Sequence, residues 1–489
     1  MTPFVPLAEK IVDALLERRP ELASDAGDHR FDDRLPDFSA DAVAADVAML
    51  RDAAHALVEV DADGLDEQER VDHAMLAALV DRELFEATEV RGHEWNPLRH
   101  NPGELLHALV SRDFAPVDVR LERLAGRLAA IPDAMATARA VLVDPPRIHL
   151  ETAVGQFSGA AGLVRSEVPA MLAEVPALTD RVAPLARVAA DALDGFADWA
   201  RDRLRTGAGA GRDPRLGRRL WEARLWHTLD TELPAARILD AAWADLEQVT
   251  DELREASAAL VGGPASDQTV RVALDRLGDE HPDDASIVGL ARTALAEATD
   301  FVRAHDLVSL VDDPCVIRQM PEYARGVAMA YCEAPGPLES ADVPTFYCIA
   351  PTPADWPPQQ VVSFYREYNN HQVRNLTVHE AMPGHFLQLA HARRFRGSTR
   401  VRAVASSGPF VEGWAVYAER VLADLGFGGP PVKVQQLKMR LRSTLNAILD
   451  QLTHCEQLPE SEAMALLTGR GFQEQGEAAG KWRRALLTS

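Results

Sequence analysis

The chain has 489 residues and a formal net charge of -24, from 51 Lys and Arg against 75 Asp and Glu. Its composition, 47% hydrophobic and 26% charged, is typical of a soluble globular protein and excludes a disordered or fibrous chain. The negative charge repels phosphate backbones and anionic lipid headgroups, so we expect no nucleic-acid partner and no membrane partner. Domains of about 150 residues predict roughly three domains or one large composite.

Four cysteines are present, widely spaced and without a Cys-x-x-Cys pair. They are too few for a disulfide scaffold and favour a reducing compartment. Residues 1–20 lack the basic stretch and the apolar run of about 7–15 residues that form a signal peptide, and nowhere are about 18 consecutive residues apolar. We therefore expect a cytoplasmic protein.

The first predicted elements are amphipathic helices, because apolar residues recur at helical spacing from residue 4 to residue 205. They predict a helical N-terminal region over residues 1–205. The next stretch, 206–214 (TGAGAGRDP), predicts a linker. Its glycines do not indicate a dinucleotide-binding loop, because no apolar strand precedes them.

The rest of the chain, residues 215–489, is again mainly helical in its pattern. Between residues 308 and 350 the pattern changes to short apolar runs punctuated by prolines, which predict a small β-sheet. Helical patterns follow, with helices predicted over 373–396 and 410–425. The sequence therefore predicts a mostly α fold with a small β-sheet beside these two helices.

A histidine and glutamate motif lies in the first of these helices, within NLTVHEAMPGHFLQLAH (375–391). His379 adjoins Glu380, and His385 follows six residues after His379 in an otherwise apolar pattern. In zinc hydrolases, two histidines four residues apart on a helix bind one metal ion, and the glutamate beside the first acts as general base. The motif therefore indicates a metal site with a longer interval than usual.

The interval of six residues requires a break in the helix. On a straight helix it would separate the two imidazoles by about 120° and roughly 9 Å, too far to share an ion. Pro383 cannot donate a hydrogen bond to the carbonyl of His379, and Gly384 tolerates backbone angles closed to other residues. We therefore predict that Met382, Pro383 and Gly384 form a bulge that returns His385 to the face of His379.

A third ligand is predicted in the helix over 410–425, because catalytic zinc sites use three protein ligands and leave one position open. On a helical wheel Glu412 and Glu419 share a face with small apolar residues, which is unusual for a solvated surface. We predict Glu412 as the third ligand and Glu419 as an acceptor that supports a ligand. The opposite face is predicted to be Phe410, Val411, Trp414, Tyr417, Ala418, Val421 and Leu422.

Two segments together resemble a known family. HEAMPGHFLQ (379–388), followed 27 residues after His385 by EGWAVYAE (412–419), is similar to the bacterial domain-of-unknown-function family 885, and a looser likeness extends to residues 145–159 and 216–243. Members of that family resemble gluzincin-type zinc hydrolases.

The resemblance implies a large helical fold like that of zinc metallopeptidases, with a Zn2+ cofactor and a catalytic region over residues 215–489. It implies that His379, His385 and Glu412 hold the metal and that Glu380 is the general base. The expected reaction is hydrolysis of amide bonds in small peptides or in amide-containing small molecules. In it, a metal-bound water loses its proton to Glu380, which returns that proton to the leaving amine.

A second electrophile, besides the metal, is expected to stabilise the tetrahedral intermediate of such a reaction. Tyr, His and Arg side chains serve this purpose. The sequence leaves five candidates open, namely Tyr331, Tyr347, Tyr417, His371 and Arg442.

Two alternatives stay open at this point: a zinc enzyme of the same scaffold acting on a non-peptide small metabolite, and a non-catalytic helical binding protein. Glu412 and Glu419 could instead pair with Arg420, Arg440 or Arg442. The sequence contains no Gly-x-Ser-x-Gly elbow, no phosphate-binding loop and no two Glu-x-x-His helices, which argues against other catalytic classes. The oligomeric state is open, with a homo-oligomer among the alternatives.

Overall fold

A computed structural model describes residues 3–207, 211–320, 329–353 and 356–488. Three residues of the predicted linker, 208–210, and part of the predicted sheet region, 321–328, therefore lie outside the described residues. The chain divides into two compact units. The first comprises Met1–Pro214, Pro335–Val343 and Phe395–Ser406, and the second comprises Arg215–Ala334, Pro344–Arg394 and Ser407–Ser489.

The described residues are mostly helical, with a small three-stranded sheet, which confirms the coarse fold prediction. The α-helices, numbered in chain order, are α1 Phe4–Arg18, α2 Pro20–Ala26, α3 Ala40–Val58, α4 Glu67–Phe85, α5 Gly103–Ser111, α6 Val117–Val141, α7 Arg147–Glu174, α8 Thr179–Thr206, α9 Arg218–Leu229, α10 Ala235–Val261, α11 Asp267–Gly278, α12 Ile287–Ala304, α13 Pro358–Glu367, α14 Asn370–Glu380, α15 His385–Ala392, α16 Val401–Val404, α17 Gly408–Asp424, α18 Gly429–Glu456, α19 Glu460–Ala465 and α20 Gln475–Leu487. The strands are β1 Cys315–Gln319, β2 Ala330–Glu333 and β3 Thr345–Ile349.

The first unit is helical because its sequence combines amphipathic segments with residues that cap helix N-termini. At the N-terminus of α4, Asp66 accepts a hydrogen bond from the Glu69 backbone, and the Glu69 side chain accepts one from the Asp66 backbone. The long helices α7 and α8 bury their apolar faces against each other, with the rings of Phe157 and Phe196 4.3 Å apart. A second apolar core joins α1, α3 and α4 with α16.

The second unit surrounds the sheet with helices. Strand β3 is central: it pairs in parallel with β1, Cys315 opposite Thr345, and antiparallel with β2, Ala330 opposite Ile349. Its buried residues share one apolar core with α12, α14 and α15. The sheet therefore lies directly beside the helices that carry the histidine motif.

Two predicted helix ranges differ from the structure. The helix predicted over 373–396 is two helices, α14 and α15, with residues 381–384 between them. The helix predicted over 410–425 is α17, which begins two residues earlier and ends at Asp424.

Of the helices in the described part of the chain, not one combines the length and the apolar character that crossing a membrane needs.

Candidate metal centre

The break between α14 and α15 positions the two histidines. The backbone N–H groups of Ala381 and Met382 both donate to Thr377 O, at 2.9 and 3.1 Å, and Gly384 N donates to Val378 O at 3.0 Å. These bonds end α14 at Glu380, and the next helix begins at His385. The chain thus makes a tight turn over residues 381–384 while most of its backbone donors stay paired.

Glycine is required at position 384 by close packing. A Cβ atom there would lie 1.8 Å from the carbonyl oxygen of His379 and 2.4 Å from that of Val378. The turn is also tied to α17, since the indole Nε1 of Trp414 donates to Pro383 O at 2.8 Å. Backbone contact on one side and an indole hydrogen bond on the other therefore fix the turn.

The turn brings His379 and His385 to the same place. Their ring centroids lie 4.6 Å apart, with the ring planes at 86° to each other. Glu412 Oε2, from α17, lies 3.4 Å from His379 Nε2 and 3.8 Å from His385 Nε2. One donor atom from each of the three side chains lies within 4.8 Å of the others. The structure therefore brings the three predicted metal ligands together.

These separations fit a small four-coordinate ion. Ligand atoms about 2.0–2.1 Å from a tetrahedral zinc are about 3.3 Å from one another. The two distances to Glu412, 3.4 and 3.8 Å, exceed that value by about 0.1 and 0.5 Å. Two imidazole nitrogens and one carboxylate oxygen are also a donor set that zinc accepts. The residues present therefore fit a zinc ion with one position left for another molecule.

Glu419 fixes the orientation of His379. Its side chain is 3% exposed, and its Oε1 accepts a hydrogen bond of 2.6 Å from His379 Nδ1. Its other oxygen accepts from Asn375 Nδ2 at 2.5 Å. Because the Nδ1 proton is held by Glu419, the Nε2 lone pair of a neutral His379 points toward Glu412 and His385. This is the supporting contact that the sequence predicts for Glu419.

The cluster has unusual protonation behaviour when no ion is bound. Burial disfavours a charge on His379, but the carboxylates of Glu412 and Glu419 outweigh it and raise its pKa to about 10. Its hydrogen bond in turn lowers the pKa of Glu412. Burial and the neighbouring positive charge lower the pKa of His385 to about 4. The pair of His379 and Glu412 therefore holds a proton where an ion would otherwise bind.

Glu380 is buried and is not one of the three clustered side chains. It is 7% exposed, and burial raises the pKa of its carboxyl to about 7, against the opposing charge of His379. The backbone N–H of Cys332, in the edge strand β2, donates to this carboxylate. Glu380 therefore joins the end of α14 to the edge of the sheet.

The five candidates for a second electrophile lie in different places. Tyr347 is fully buried with its hydroxyl 3.4 Å from Thr377 Oγ1, and Tyr331 lies opposite Cys348 in the pairing of β2 with β3. Burial raises the pKa of Tyr347. Both tyrosines belong to the sheet beside α14, whereas Tyr417 is 59% exposed on α17.

His371 and Arg442 have other partners. His371 Nε2 lies 3.1 Å from Glu280, near the start of α14 and about two turns before His379. Arg442 donates to Tyr368 and pairs with Glu477 at 2.5 Å. The structure therefore does not bring these two side chains to the three-ligand cluster.

The helical wheel for α17 is partly wrong. Phe410 and Tyr417, expected on an apolar face, are 60% and 59% exposed, and the side chain of Glu412 is 67% exposed. Glu419 is buried as expected. The exposed Glu412 leaves one side of the cluster open to solvent.

Three supporting groups were not singled out from the sequence: Asn375, Trp414 and the backbone of Cys332. Asn375 could have been found, because it precedes His379 by four residues and so lies on the same helix face. Trp414 follows Glu412 by two residues, and no spacing rule points it at Pro383. The contact of Cys332 depends on a strand distant in sequence.

The fold and the cluster together define a mostly helical protein with a small sheet and a His-His-Glu site. The chain belongs to the DUF885 family, described as bacterial proteins of unknown function, whose profile matches residues 20–489. No curated protein matches the chain.

Two solved structures resemble it over nearly their whole length. One is described as a lipoprotein of unknown function from Shewanella oneidensis, 26% identical, with a TM-score of 0.82, covering 100% of this chain and 90% of the other. The second is described as a lipoprotein from Colwellia psychrerythraea, 15% identical, with a TM-score of 0.80, covering 99% of this chain and 88% of the other. The second likeness shows the fold alone.

Proposed function

We propose that this protein is a zinc-dependent hydrolase that cleaves amide bonds of small peptides. The observation that carries the proposal is the convergence of His379, His385 and Glu412, whose donor atoms lie within 4.8 Å of one another next to the buried Glu380. A zinc ion held there would polarise a substrate carbonyl and acidify a water molecule. The support from Glu419 agrees with this assignment, because metal-ligating histidines normally donate their other ring N–H to a fixed acceptor.

Glu380 is proposed as the general base. It directly follows His379 at the end of α14, so its carboxylate lies beside the cluster without being one of its members. In the proposed reaction it accepts a proton from the attacking water and passes it to the leaving nitrogen. The N–H of Cys332 holds the carboxylate in place for both transfers.

Strand β2 supports a peptide as substrate. In the sheet order β1-β3-β2 of the described residues it is an edge strand, and its N–H at Cys332 points away from β3 toward Glu380. Because Glu380 occupies the N–H of Cys332, an extended peptide would pair with the other outward backbone groups of this edge. The edge of β2 would therefore place a peptide bond near the proposed base.

The test combines metal analysis with a digest of a peptide library by the full-length protein. We expect about one zinc per chain, lost in His379→Ala, and cleavage products detected by mass spectrometry. Glu380→Gln is expected to keep the zinc and to lose about 10²- to 10⁴-fold in cleavage rate. The control is Glu94→Gln, in the chain's other His-Glu pair, where Glu94 accepts from Arg91; its rate should not change.

Three outcomes would contradict the proposal. Protein purified without chelators that never takes up stoichiometric zinc would refute the metal site. A zinc-loaded protein that cleaves no peptide in the library would refute the peptidase activity. Full activity in zinc-loaded Glu380→Gln would refute the role of the base.

A further inference from the structure

The first unit contains a cavity that the proposed hydrolase does not use. Its volume is about 600 Å³, within the range of about 300–1,000 Å³ typical of small-molecule sites. Residues of α2, α5 and α6 line it, together with the segments that lead into α3 and α5. All of these residues lie between positions 21 and 137, so the cavity is formed by the first unit alone.

The lining of this cavity carries a net negative charge. Four of its carboxylates have no ion-pair partner in the described part of the chain, namely Glu21, Asp25, Glu104 and Asp133. Arg99 contributes a positive charge to the lining, and its Nη1 lies 4.0 Å from Oε2 of Glu86, which is outside the lining. The charge of the four carboxylates is therefore largely uncompensated.

Two of these carboxyl groups respond to this lack of compensation. Burial raises the pKa of Glu21, although its own backbone N–H and two nearby arginines act in the opposite direction. Partial burial and then the neighbouring Glu104 raise the pKa of Asp25. A positive charge inside the cavity would stabilise both carboxylates.

His100 adds an unpartnered acceptor to the same cavity. It is 8% exposed, and its Nε2 lies 2.8 Å from His93 O, so Nε2 carries the ring proton. Burial lowers the pKa of His100 to about 4, which keeps the ring neutral and leaves a lone pair on Nδ1. Nδ1 has no hydrogen-bond partner among the described residues, and it is not one of the fully enclosed side-chain atoms that lack a partner. Because His100 lines the cavity, a molecule inside it can reach this acceptor.

The acceptors are arranged for an organic cation and not for a metal ion. Among the described residues, the side chains that lie close enough together to hold a metal ion are those of the His-His-Glu cluster. Apolar side chains make up much of the remaining lining, including Leu35, Phe38, Leu98 and Leu105. The ring of Phe38 lies edge-on to that of His100, with 4.8 Å between the ring centroids. A ligand with several separate ammonium groups on an aliphatic chain matches both the acceptors and the apolar wall.

We propose that this cavity binds a linear aliphatic polyamine. Its ammonium groups lie against Asp25, Glu104 and Nδ1 of His100, and its methylene groups lie against the apolar wall. Each ammonium carries the positive charge that the lining lacks and has only donors to offer, which suits a lining of acceptors. The proposal concerns the first unit and does not depend on the hydrolase activity.

The test is calorimetric titration of the full chain with spermidine, and with 1,8-octanediol as an uncharged probe of similar length. We expect saturable binding of spermidine and none of the diol. Asp25→Asn and Glu104→Gln should each weaken spermidine binding by at least about threefold, and the double variant by at least about tenfold. His100→Phe, which removes the acceptor, should weaken it by about three- to tenfold.

The matched control is Glu67→Gln. Like Glu104, Glu67 is exposed in the first turn of a helix and has no ion-pair partner in the described part of the chain, but it does not line the cavity. Its substitution removes the same charge from a chain of net charge -24. The affinity for spermidine should therefore stay at the wild-type value.

Several results would overturn the proposal. The cavity takes no polyamine if the wild type shows no saturable binding of spermidine at millimolar concentration. Equal weakening by Glu67→Gln would mean that spermidine responds only to the overall charge, and complete displacement by Mg²⁺ at matched ionic strength would mean that the lining serves inorganic cations. If His100→Phe does not fold, the double variant of Asp25 and Glu104 decides, and wild-type affinity in that variant would refute the site.

Discussion

Replacing Gly384 by Ala tests whether the turn between α14 and α15 builds the proposed metal centre. The added Cβ would lie 1.8 Å from His379 O, whereas real Cβ contacts are essentially never below 3.0 Å. The backbone must therefore open by at least about 1.2 Å, directly between the two histidines. Zinc sites tolerate ligand displacements of about 0.2 Å. We expect zinc affinity to fall by about 100-fold or more, with a loss of about 1–3 kcal/mol in unfolding free energy from the steric strain.

The assay is competition of the protein with a chelator for zinc, together with urea denaturation. The matched control is Gly413→Ala on α17, next to Glu412, where an added Cβ meets nothing within 4 Å. That variant should bind zinc as tightly as the wild type. If Gly384→Ala binds zinc with wild-type affinity, the turn does not determine the site and the reasoning from the close contact is wrong.

Two further predictions concern groups outside the ligand set. In Glu419→Ala, the Nδ1 proton of His379 loses its buried acceptor, so zinc affinity measured by chelator competition should fall by about 10- to 100-fold. Glu419→Gln keeps an acceptor and should recover part of that affinity. Wild-type affinity in Glu419→Ala would contradict the supporting role of Glu419. In the first unit, burial disfavours a charged His29, but hydrogen bonds to Asp32 and Glu339 outweigh it and raise its pKa to about 9 from 6.5. Its stabilising contribution, up to about 3 kcal/mol, is therefore complete below pH 6.5 and is lost as the pH rises through 9. Urea denaturation across this range should show the loss in the wild type but not in His29→Asn, and an identical pH dependence in both would contradict it.

The sequence was most informative where the chemistry is local. Pro383 cannot make the hydrogen bond that a helix needs, and Gly384 permits backbone angles closed to other residues, so a break in the helix follows from these two residue types alone. The structure shows that break, and it shows why glycine is needed, namely the close approach of His379 O. The mostly helical fold with a small sheet was likewise readable from apolar periodicity and proline spacing.

Contacts between segments far apart in the sequence could not be predicted in this way. The segment Pro335–Val343 belongs to the first unit, where Leu338 N donates to Ala26 O at 2.7 Å and Glu339 accepts from His29 at 2.8 Å. Periodicity within a segment carries no information on such partners. The same reason applies to α17: a helical wheel assigns Tyr417 to an apolar face but does not show which neighbours cover that face, and Tyr417 is 59% exposed.

Three side chains of the segment EGWAVYAE (412–419) contact three different parts of one site. Glu412 approaches both histidines from the exposed side, Trp414 donates to the turn at Pro383, and Glu419 accepts from His379 on the buried side. Glu412 and Glu419 are two helical turns apart, which places them on one face of α17 about 10 Å from each other along its axis. A single helix can therefore supply one proposed metal ligand and hold the orientation of another at the same time. Shifting either glutamate by one residue would turn it about 100° away and break one of these contacts, so the spacing of seven follows from the geometry of the cluster itself.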